Sequence, residues 1–491
     1  MTIRRRVPLA QATGFLGVLL VAASSVSVAA VPVDVDPTAI PVLGGLAERP
    51  VLGLAAALVG MGLAVIGWLL LGTVLIGQSA HAVSPRRVLA TLALWAAPLL
   101  VVPPMFSDDV YSYLGQGAIA NLGSDPYTGG PADYLDPANP LARNVSGYWE
   151  HSAAPYGPLF LLLAQLIVRI AGTDVIAGIA LHRIAELVGI ALVLWALPAL
   201  ARRTGARVQT VLWLGMLNPL LLFHLIGGIH NDGLMLGLML AGTEVALRGL
   251  DRDRIGVVPL VAGLGLIGTA AAVKLPAAAA LSVVTVALTR RWGGGITLGR
   301  SVTVTVLPFA VVMAALSLIS GYGLGWVAGL STPGEVSSWL APTNQAGFLA
   351  GGVGMLFGAD ITETAISVGK VVGGVTALPV GAVVLARMLA GRVEPITGLG
   401  LLFAVAIVCG PVVQPWYLLW CVLPFAAAGL AVRRRWQLAW LSAVLAAIVP
   451  PLGSDLHGDM ASIALGYGIA AAVLGAIVLA GRYLRIASPA A

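Results

Sequence analysis

Apolar stretches of about 20 residues recur from one end of this chain to the other. A helix of that length crosses a hydrocarbon core about 30 Å thick, and only helices or closed barrels can do so without leaving backbone polar groups unpaired. Of the 491 residues, 10% are charged, against about 25% in soluble domains. The sequence therefore predicts an all-α polytopic membrane protein.

The hydropathy pattern predicts about 14 transmembrane helices, which makes the chain one transmembrane domain, residues 1–491. The predicted spans are residues 9–30, 51–77, 88–104, 174–201, 208–226, 229–249, 255–273, 276–289, 300–319, 362–388, 396–412, 417–431, 436–450 and 461–481. The first span follows three arginines, as a signal peptide does, but its length and the many later spans favour a retained helix. Residues 155–172 are apolar and contain prolines and Arg169, which favours a re-entrant or interfacial helix.

The charges fall on opposite faces of this predicted topology. With both termini in the cytoplasm, alternate loops hold 21 of the 27 Lys and Arg residues, as the positive-inside rule requires. The pI of 9.6 is thus explained by topology, and we expect no nucleic-acid partner. The other face receives 16 of the 21 acids and the two longest loops, residues 105–155 and 320–361. We therefore expect a plasma-membrane protein whose chemistry takes place on the external face.

The first of these loops begins with two adjacent carboxylates, Asp108 and Asp109. A helix from about Ser107 to Gly123 would place Asp109, Tyr113 and Gln116 on one face. One interpretation is a serine cap with acids in the first helical turn. The other is a general base beside a site for a hydroxyl-rich ligand, which the following "SDPYTGGPADYLDP" favours.

The segment "HLIGGIHNDGLMLGLML" places His224, His230, Asn231 and Asp232 between two apolar spans. Asn231 or Asp232 would cap a helix that begins at Gly233, or would bind a ligand. The histidines have no partners at metal-ligand spacing, so no metal site is predicted.

Lys274 stands inside an apolar region, where an ammonium group costs about 2.5–3.5 kcal/mol. The adjacent Pro276 predicts a break between two apolar helices, with Lys274 at its outer tip. Its amine then either extends to the interface or binds a phosphate.

Two further groups have both a structural and a functional interpretation. The first group, Gln414, Trp416 and Tyr417, lies at the outer end of a predicted span. Its aromatic residues form a membrane belt or stack on a sugar. Charged residues within one helical turn form an ion-pair cluster or a cavity wall: His182, Arg183 and Glu186. The two cysteines, Cys409 and Cys421, lie in apolar stretches and indicate neither a disulfide nor a metal site.

Taken in order, several strings resemble one family, the polyprenol-phosphate-mannose-dependent α-1,6-mannosyltransferases of mycobacteria and corynebacteria. The strings are "SDDVYSY", "DPY", "APYGPLF", "LNPLLLFHLIGGIHNDGLMLGL", "VKLP", "RWGG" and "PVVQPWYLLW". They extend over nearly the whole chain.

The resemblance implies a GT-C glycosyltransferase fold and an inverting transfer of mannose in lipomannan and lipoarabinomannan core synthesis. It implies polyprenyl-phosphate-mannose as donor, a glycolipid α-1,6-mannan as acceptor, and no cofactor or metal. The catalytic acid corresponds to Asp109, with Asp108 as the alternative, and Lys274 and His230 are assigned to the donor phosphate. The expected sugar and acceptor contacts are Tyr113, Gln116, Asn231, Asp232, Gln414, Trp416 and Tyr417.

Two other function classes are compatible with the sequence. A transporter or lipid flippase would line a pathway with the same polar residues, but its charges would stand at the midplane and on both faces. A polyprenyl-phosphate pentosyltransferase would share the same chemistry with a different sugar.

Overall fold

The computed structural model describes residues 3–76, 83–251, 254–293, 297–330, 337–451 and 456–487. Within these ranges every regular element is a helix, which confirms the predicted all-α class. Seven of the described helices are long and apolar enough to cross a membrane, and a bent pair would make an eighth. The chain is a multi-pass membrane protein, while the figure of about 14 crossings stays a prediction.

Each predicted span coincides with helical structure, with ends shifted by a few residues. The long apolar helices are Ile3–Val28, Pro50–Leu75, Val175–Arg203, Asp232–Leu250, Thr297–Ser320, Thr362–Leu389 and Met460–Ala487. Shorter helices occupy the other spans and include Pro85–Ala96, Val257–Ala271, Leu281–Trp292, Pro395–Cys409, Leu418–Ala427 and Val432–Ile448. The predicted re-entrant segment is the 14-residue helix Pro158–Ala171; its insertion mode stays a prediction.

The segment predicted as the second external loop, residues 320–361, also contains regular structure. A helix of 15 residues, Pro342–Leu356, begins with proline in its first turn, where the missing N–H costs nothing. Glycines at positions 347 and 351 face the helix Thr362–Leu389 at close range. The segment predicted as the second external loop therefore includes a helix packed through small residues.

The chain divides into two compact units, and each is built from separated stretches of sequence. The first unit comprises residues 1–110, 212–229 and 431–491, and the second comprises residues 111–211 and 230–430.

Close approach of two helices organises the first unit. Ile3–Val28 lies against Pro50–Leu75 so tightly that a Cβ on Gly60 would stand 2.6 Å from the carbonyl oxygen of Gly17. Only glycine fits there, as is common where membrane helices pack without a hydrophobic driving force.

A broken helix is the second feature of the first unit. Two π-helical segments, Leu212–Met216 and Leu221–Gly227, meet at a bend of 58°. At the bend, the Asn218 side-chain oxygen accepts the N–H of Leu220, and its amide donates to Leu214 O and Ser442 Oγ. π-Helical turns are rare and occur often near functional sites.

In the second unit the helix Val175–Arg203 packs on Asp232–Leu250 through glycines. A Cβ on Gly189 would lie 2.4 Å from the carbonyl oxygen of Gly233. The chain also breaks after Val257–Ala271 and resumes as a 3₁₀ turn at Leu275. Lys274 stands in this break, as Pro276 predicts, and its placement at an outer tip stays a prediction.

Candidate functional site

The aspartate pair begins a helix, as the sequence predicts. The helix is Asp109–Asn121, within two residues of the predicted bounds. The N–H of Asp109 donates to Ser107 Oγ over 3.1 Å, so the serine hydroxyl supplies a cap. Both carboxylates are half-buried. The serine-cap interpretation is therefore correct for the backbone, and a catalytic role for Asp109 or Asp108 stays a prediction.

A strained backbone corner precedes the pair. Phe106 has φ 66°, a left-handed conformation that a bulky side chain rarely adopts. Its ring stacks on Phe223 with centroids 5.3 Å apart and contacts His224 at 5.0 Å. One residue earlier, the N–H of Met105 donates to Gly227 O over 3.1 Å. The broken helix of the first unit thus holds the segment that leads into the two acids.

Tyr113 and Gln116, both predicted sugar contacts, are buried in the second unit. The Tyr113 ring packs edge-on against Phe160 at 4.8 Å and lies 5.5 Å from His182. Gln116 Oε1 has no hydrogen-bond partner among the residues that the structure describes. Tyr113 therefore packs in an aromatic cluster, and Gln116 carries a buried acceptor; sugar binding by either stays a prediction.

A polar cluster of the second unit surrounds Asp232, which is 1% exposed. Lys274 Nζ donates to its two carboxylate oxygens over 3.0 and 3.2 Å. The indole N–H of Trp420 donates to Oδ1 over 2.7 Å, and that of Trp416 to Oδ2 over 3.0 Å. Asp232 is therefore a paired, fully hydrogen-bonded buried carboxylate. Its side chain does not cap the helix, contrary to one of the two sequence-based interpretations.

Aromatic faces surround the ammonium group of Lys274. Nζ lies 4.7 Å from the ring centroid of Tyr417 and 5.5 Å from a ring of Trp420, and it contacts the Tyr417 hydroxyl over 3.4 Å. The side chain is 16% exposed. Cation–π contacts of this kind stabilise a partly desolvated ammonium. The amine is thus held inside the second unit by specific partners, which does not fit extension to the interface.

His230 and Trp416 form the other side of this cluster. Their rings stack with centroids 3.5 Å apart, so the imidazole covers one face of the indole and a sugar would have only the other face. Asn231 lies just before the helix Asp232–Leu250 without a side-chain cap bond, and Gln414 is half-buried before the turn Pro415–Tyr417. The structure thus gathers His230, Asp232, Lys274, Trp416 and Tyr417.

Sequence reasoning missed one participant, Trp420, and did not identify the partner of a second, Glu186. Trp420 was not singled out, although its spacing of four from Trp416 places both indoles on one helical face. Glu186 has two sequence-based interpretations, an ion-pair cluster and a cavity wall; its Oε2 accepts the N–H of Leu234 over 3.1 Å. The signal for Glu186 was its cost in an apolar helix, which requires a partner somewhere.

The segment 124–157 contains a titratable pair outside the spanning helices. His151 Nδ1 and Asp133 Oδ1 lie 2.7 Å apart. This hydrogen bond holds the pKa of Asp133 below its ordinary value and raises the pKa of His151. In the same segment, burial raises the pKa of the Tyr127 hydroxyl, which donates to Tyr156 O.

Comparison with known proteins gives matches over most of the chain. The model for the N-terminal domain of α-(1→6)-mannopyranosyltransferases matches residues 11–290, and that for the MptB C-terminal domain matches residues 342–480. A probable α-(1→6)-mannopyranosyltransferase of Mycolicibacterium smegmatis is 38% identical, covering 91% of this chain and 83% of the relative. An α-(1→6)-mannopyranosyltransferase of Mycobacterium tuberculosis is 36% identical, covering 96% and 87%.

A third relative, α-(1→6)-mannopyranosyltransferase B of Corynebacterium glutamicum, is 34% identical, with coverage of 84% of this chain and 72% of the relative. No solved structure matches the chain significantly. The family predicted from the ordered strings is confirmed. This chain belongs to the α-(1→6)-mannopyranosyltransferase family and is a glycosyltransferase.

Proposed function

We propose that this protein transfers mannose from polyprenyl-phosphate-mannose to an α-1,6-mannan glycolipid, with inversion, on the external face of the plasma membrane. The product is the mannan core of lipomannan and lipoarabinomannan. The observation that carries the proposal is the buried Lys274–Asp232 pair within an aromatic cluster, in a chain whose relatives are named mannosyltransferases. A cation beside aromatic rings suits a ligand that joins a sugar to a phosphate.

In the proposed reaction, the acceptor hydroxyl oxygen attacks the anomeric carbon of the donor mannose. The bond from that carbon to the phosphate oxygen breaks, and its electron pair leaves with polyprenyl phosphate. Asp109 takes the hydroxyl proton, a step worth about 10²–10⁴ in rate. A β-linked donor thus gives an α-linked product without a covalent intermediate.

Lys274 balances the charge that grows on the departing phosphate. Of its hydrogen bonds, the one to the Tyr417 hydroxyl is the longest, 3.4 Å, and a phosphate oxygen is expected to replace it while the bonds to Asp232 remain. His230 is proposed as a second contact to the same phosphate. Sugars are proposed to contact the open ring faces of Trp416 and Tyr417, together with Gln414 and Asn231.

The test uses purified protein in lipid nanodiscs with radiolabelled polyprenyl-phosphomannose and a short α-1,6-mannoside. Asp109→Asn is expected to abolish transfer while the protein folds normally. Asp136→Asn, an exposed acid in the same loop, is the matched control and should retain activity. Loss in Asp108→Asn but not in Asp109→Asn would move the base by one residue.

Absence of transfer by the wild type would contradict the proposal. Activity with polyprenyl-phosphoarabinose instead would identify a pentosyltransferase. Movement of labelled lipid between leaflets without transfer would identify a flippase.

A further inference from the structure

Glu186 is a buried carboxylate that the proposed reaction does not use. It lies within the apolar helix Val175–Arg203 and is 3% exposed. A carboxylate at such a place is costly unless a specific partner receives it. The partner is a backbone group: the N–H of Leu234 donates to Glu186 Oε2 over 3.1 Å.

Leu234 is the third residue of the helix Asp232–Leu250, so its N–H is among those that have no acceptor inside the helix. Such groups are usually capped by the residue just before the helix. Here that residue is Asn231, a favourable cap type, yet its side chain makes no cap bond. The acceptor comes instead from 48 residues earlier in the chain.

The fit around this cap is close. A Cβ on Gly233 would lie 2.6 Å from Glu186 Oε2, and its next contacts would be at 3.7 Å, which is ordinary packing. A methyl group at Gly233 would therefore collide with the end of the flexible Glu186 side chain and displace it from Leu234. The first residue of the helix that Glu186 caps is Asp232, whose carboxylate binds Lys274.

We propose that Glu186 is a positioning residue for the donor phosphate site. By fixing the first turn of the helix Asp232–Leu250, it directs Asp232 and thereby the ammonium group of Lys274. This inference rests on the proposed function in one respect, the contact between Lys274 and the donor phosphate.

The first variants are Glu186→Ala and Glu186→Gln, assayed with polyprenyl-phosphomannose and the α-1,6-mannoside in nanodiscs. Glu186→Ala is expected to raise the donor KM about tenfold, within the range of a lost cap, and to leave the acceptor KM unchanged. Glu186→Gln keeps an acceptor oxygen for Leu234 and is expected to stay within about threefold of the wild type. A loss of thermal stability in Glu186→Ala without any change in donor KM would overturn the inference.

The sharper test is a double-mutant cycle. Gly233→Ala alone should reproduce the donor defect, because its methyl group displaces the carboxylate. In the Glu186→Ala background the same change meets no carboxylate and should add less than about twofold. If the double variant raises the donor KM by the product of the two single-variant factors, Gly233 and Glu186 act independently, which would contradict the inference. If Glu186→Ala does not fold, Glu186→Asp withdraws the carboxylate by one methylene and should equally tolerate Gly233→Ala.

Glu244→Gln is the matched control. Glu244 is as buried as Glu186, lies on the same capped helix and binds Arg203 and Arg248. Its substitution should lower thermal stability and leave both KM values unchanged; an equal rise in donor KM would overturn the inference. Unchanged transfer by Lys274→Met would instead overturn the proposed phosphate contact, while the coupling of Glu186 with Gly233 would remain visible in thermal unfolding.

Discussion

Asp232 and Lys274 form a bidentate ion pair, with both carboxylate oxygens within 3.2 Å of the ammonium nitrogen. Because Trp416 and Trp420 donate to the same two oxygens, the carboxylate keeps its hydrogen bonds after leaving water. The two charges therefore stabilise each other, because removal of one leaves the other without its counter-ion in the protein interior.

Lys274→Met is expected to lower the free energy of unfolding by about 3–5 kcal/mol, because it leaves a buried carboxylate without its cation. Lys274→Met/Asp232→Asn should recover much of that loss, because the uncompensated charge is gone, yet it should not recover transfer. Thermal unfolding in nanodiscs and the transfer assay measure the two effects. A double variant no more stable than Lys274→Met would contradict this account of the pair.

Substitution of Trp416 or Trp420 tests the hydrogen bonds that the two indoles donate to Asp232. Trp420→Phe keeps an aromatic ring but loses the 2.7 Å bond to Asp232, and should cost about 1.5–3 kcal/mol, the range for hydrogen bonds to charged groups. Trp416→Phe loses the longer bond and should cost less. Trp440, which is 57% exposed, is the control: Trp440→Phe should change thermal stability by less than about 0.5 kcal/mol. Equal losses of thermal stability in all three variants would show that the hydrogen bonds to Asp232 do not contribute to stability.

Local patterns predicted part of this site. The helix start at Asp109 was predictable because Ser107 stands beside the acids along the chain and can cap the first turn. The break at Lys274 was predictable from Pro276. Both signals lie within a few residues of the feature that they indicate.

Contacts between distant residues were not predictable. The sequence shows that Asp232, Lys274 and Glu186 each need a partner in apolar surroundings, but 42 residues separate the first two. One sequence does not indicate which buried charges meet. For the same reason the sequence predicts Lys274 as a cation for phosphate without its carboxylate partner. It likewise predicts Asn231 or Asp232, and not Glu186, as the cap of the following helix.

The left-handed backbone at Phe106 gives an unusual order of variants. Phe106→Ala loses the contacts to Phe223 and His224 but retains a Cβ, and therefore keeps a conformational cost of about 1–2 kcal/mol. Phe106→Gly loses the same contacts but removes this conformational cost, because glycine readily adopts a φ of 66°. We therefore expect thermal stability to fall in the order wild type, Phe106→Gly, Phe106→Ala.

Transfer rates should follow the same order if the corner positions Asp108 and Asp109. A variant Phe106→Ala more stable than Phe106→Gly would show that the left-handed backbone carries no cost in the protein. Phe106→Tyr, which keeps the stacked ring, is the conservative control and should behave as the wild type in both measurements.

The pair Asp133–His151 predicts a pH-dependent segment. The pKa of His151 is raised, so its contribution is complete below the ordinary histidine pKa and declines as pH rises through the raised value. The pKa of Asp133 is lowered, so its contribution is present above the ordinary aspartate pKa and is lost as pH falls through the lowered value. The contact should therefore be strongest at about pH 4–6.5, between the two ordinary pKa values.

Amide hydrogen exchange of residues 130–152 tests this, with wild type and His151→Gln compared at each pH. The difference in protection should be largest inside that window and should shrink above it. If the difference in protection between wild type and His151→Gln grew towards pH 8, the assigned pH dependence of the contact would be wrong.

In the first unit, Trp68 and Trp213 exchange two hydrogen bonds: each indole N–H donates to the carbonyl oxygen of the other residue, over 2.9 and 2.8 Å. The rings stack at 5.0 Å, and both residues are 0% exposed. Trp68→Phe should lower the free energy of unfolding by about 1–3 kcal/mol, because it leaves the carbonyl of Trp213 buried without its donor. Trp326→Phe, which removes a bond to the hydroxyl of Ser317 from a less buried indole, should cost less. If thermal unfolding gives equal losses for the two variants, the reciprocal bonds are not what fastens the broken helix to Pro50–Leu75.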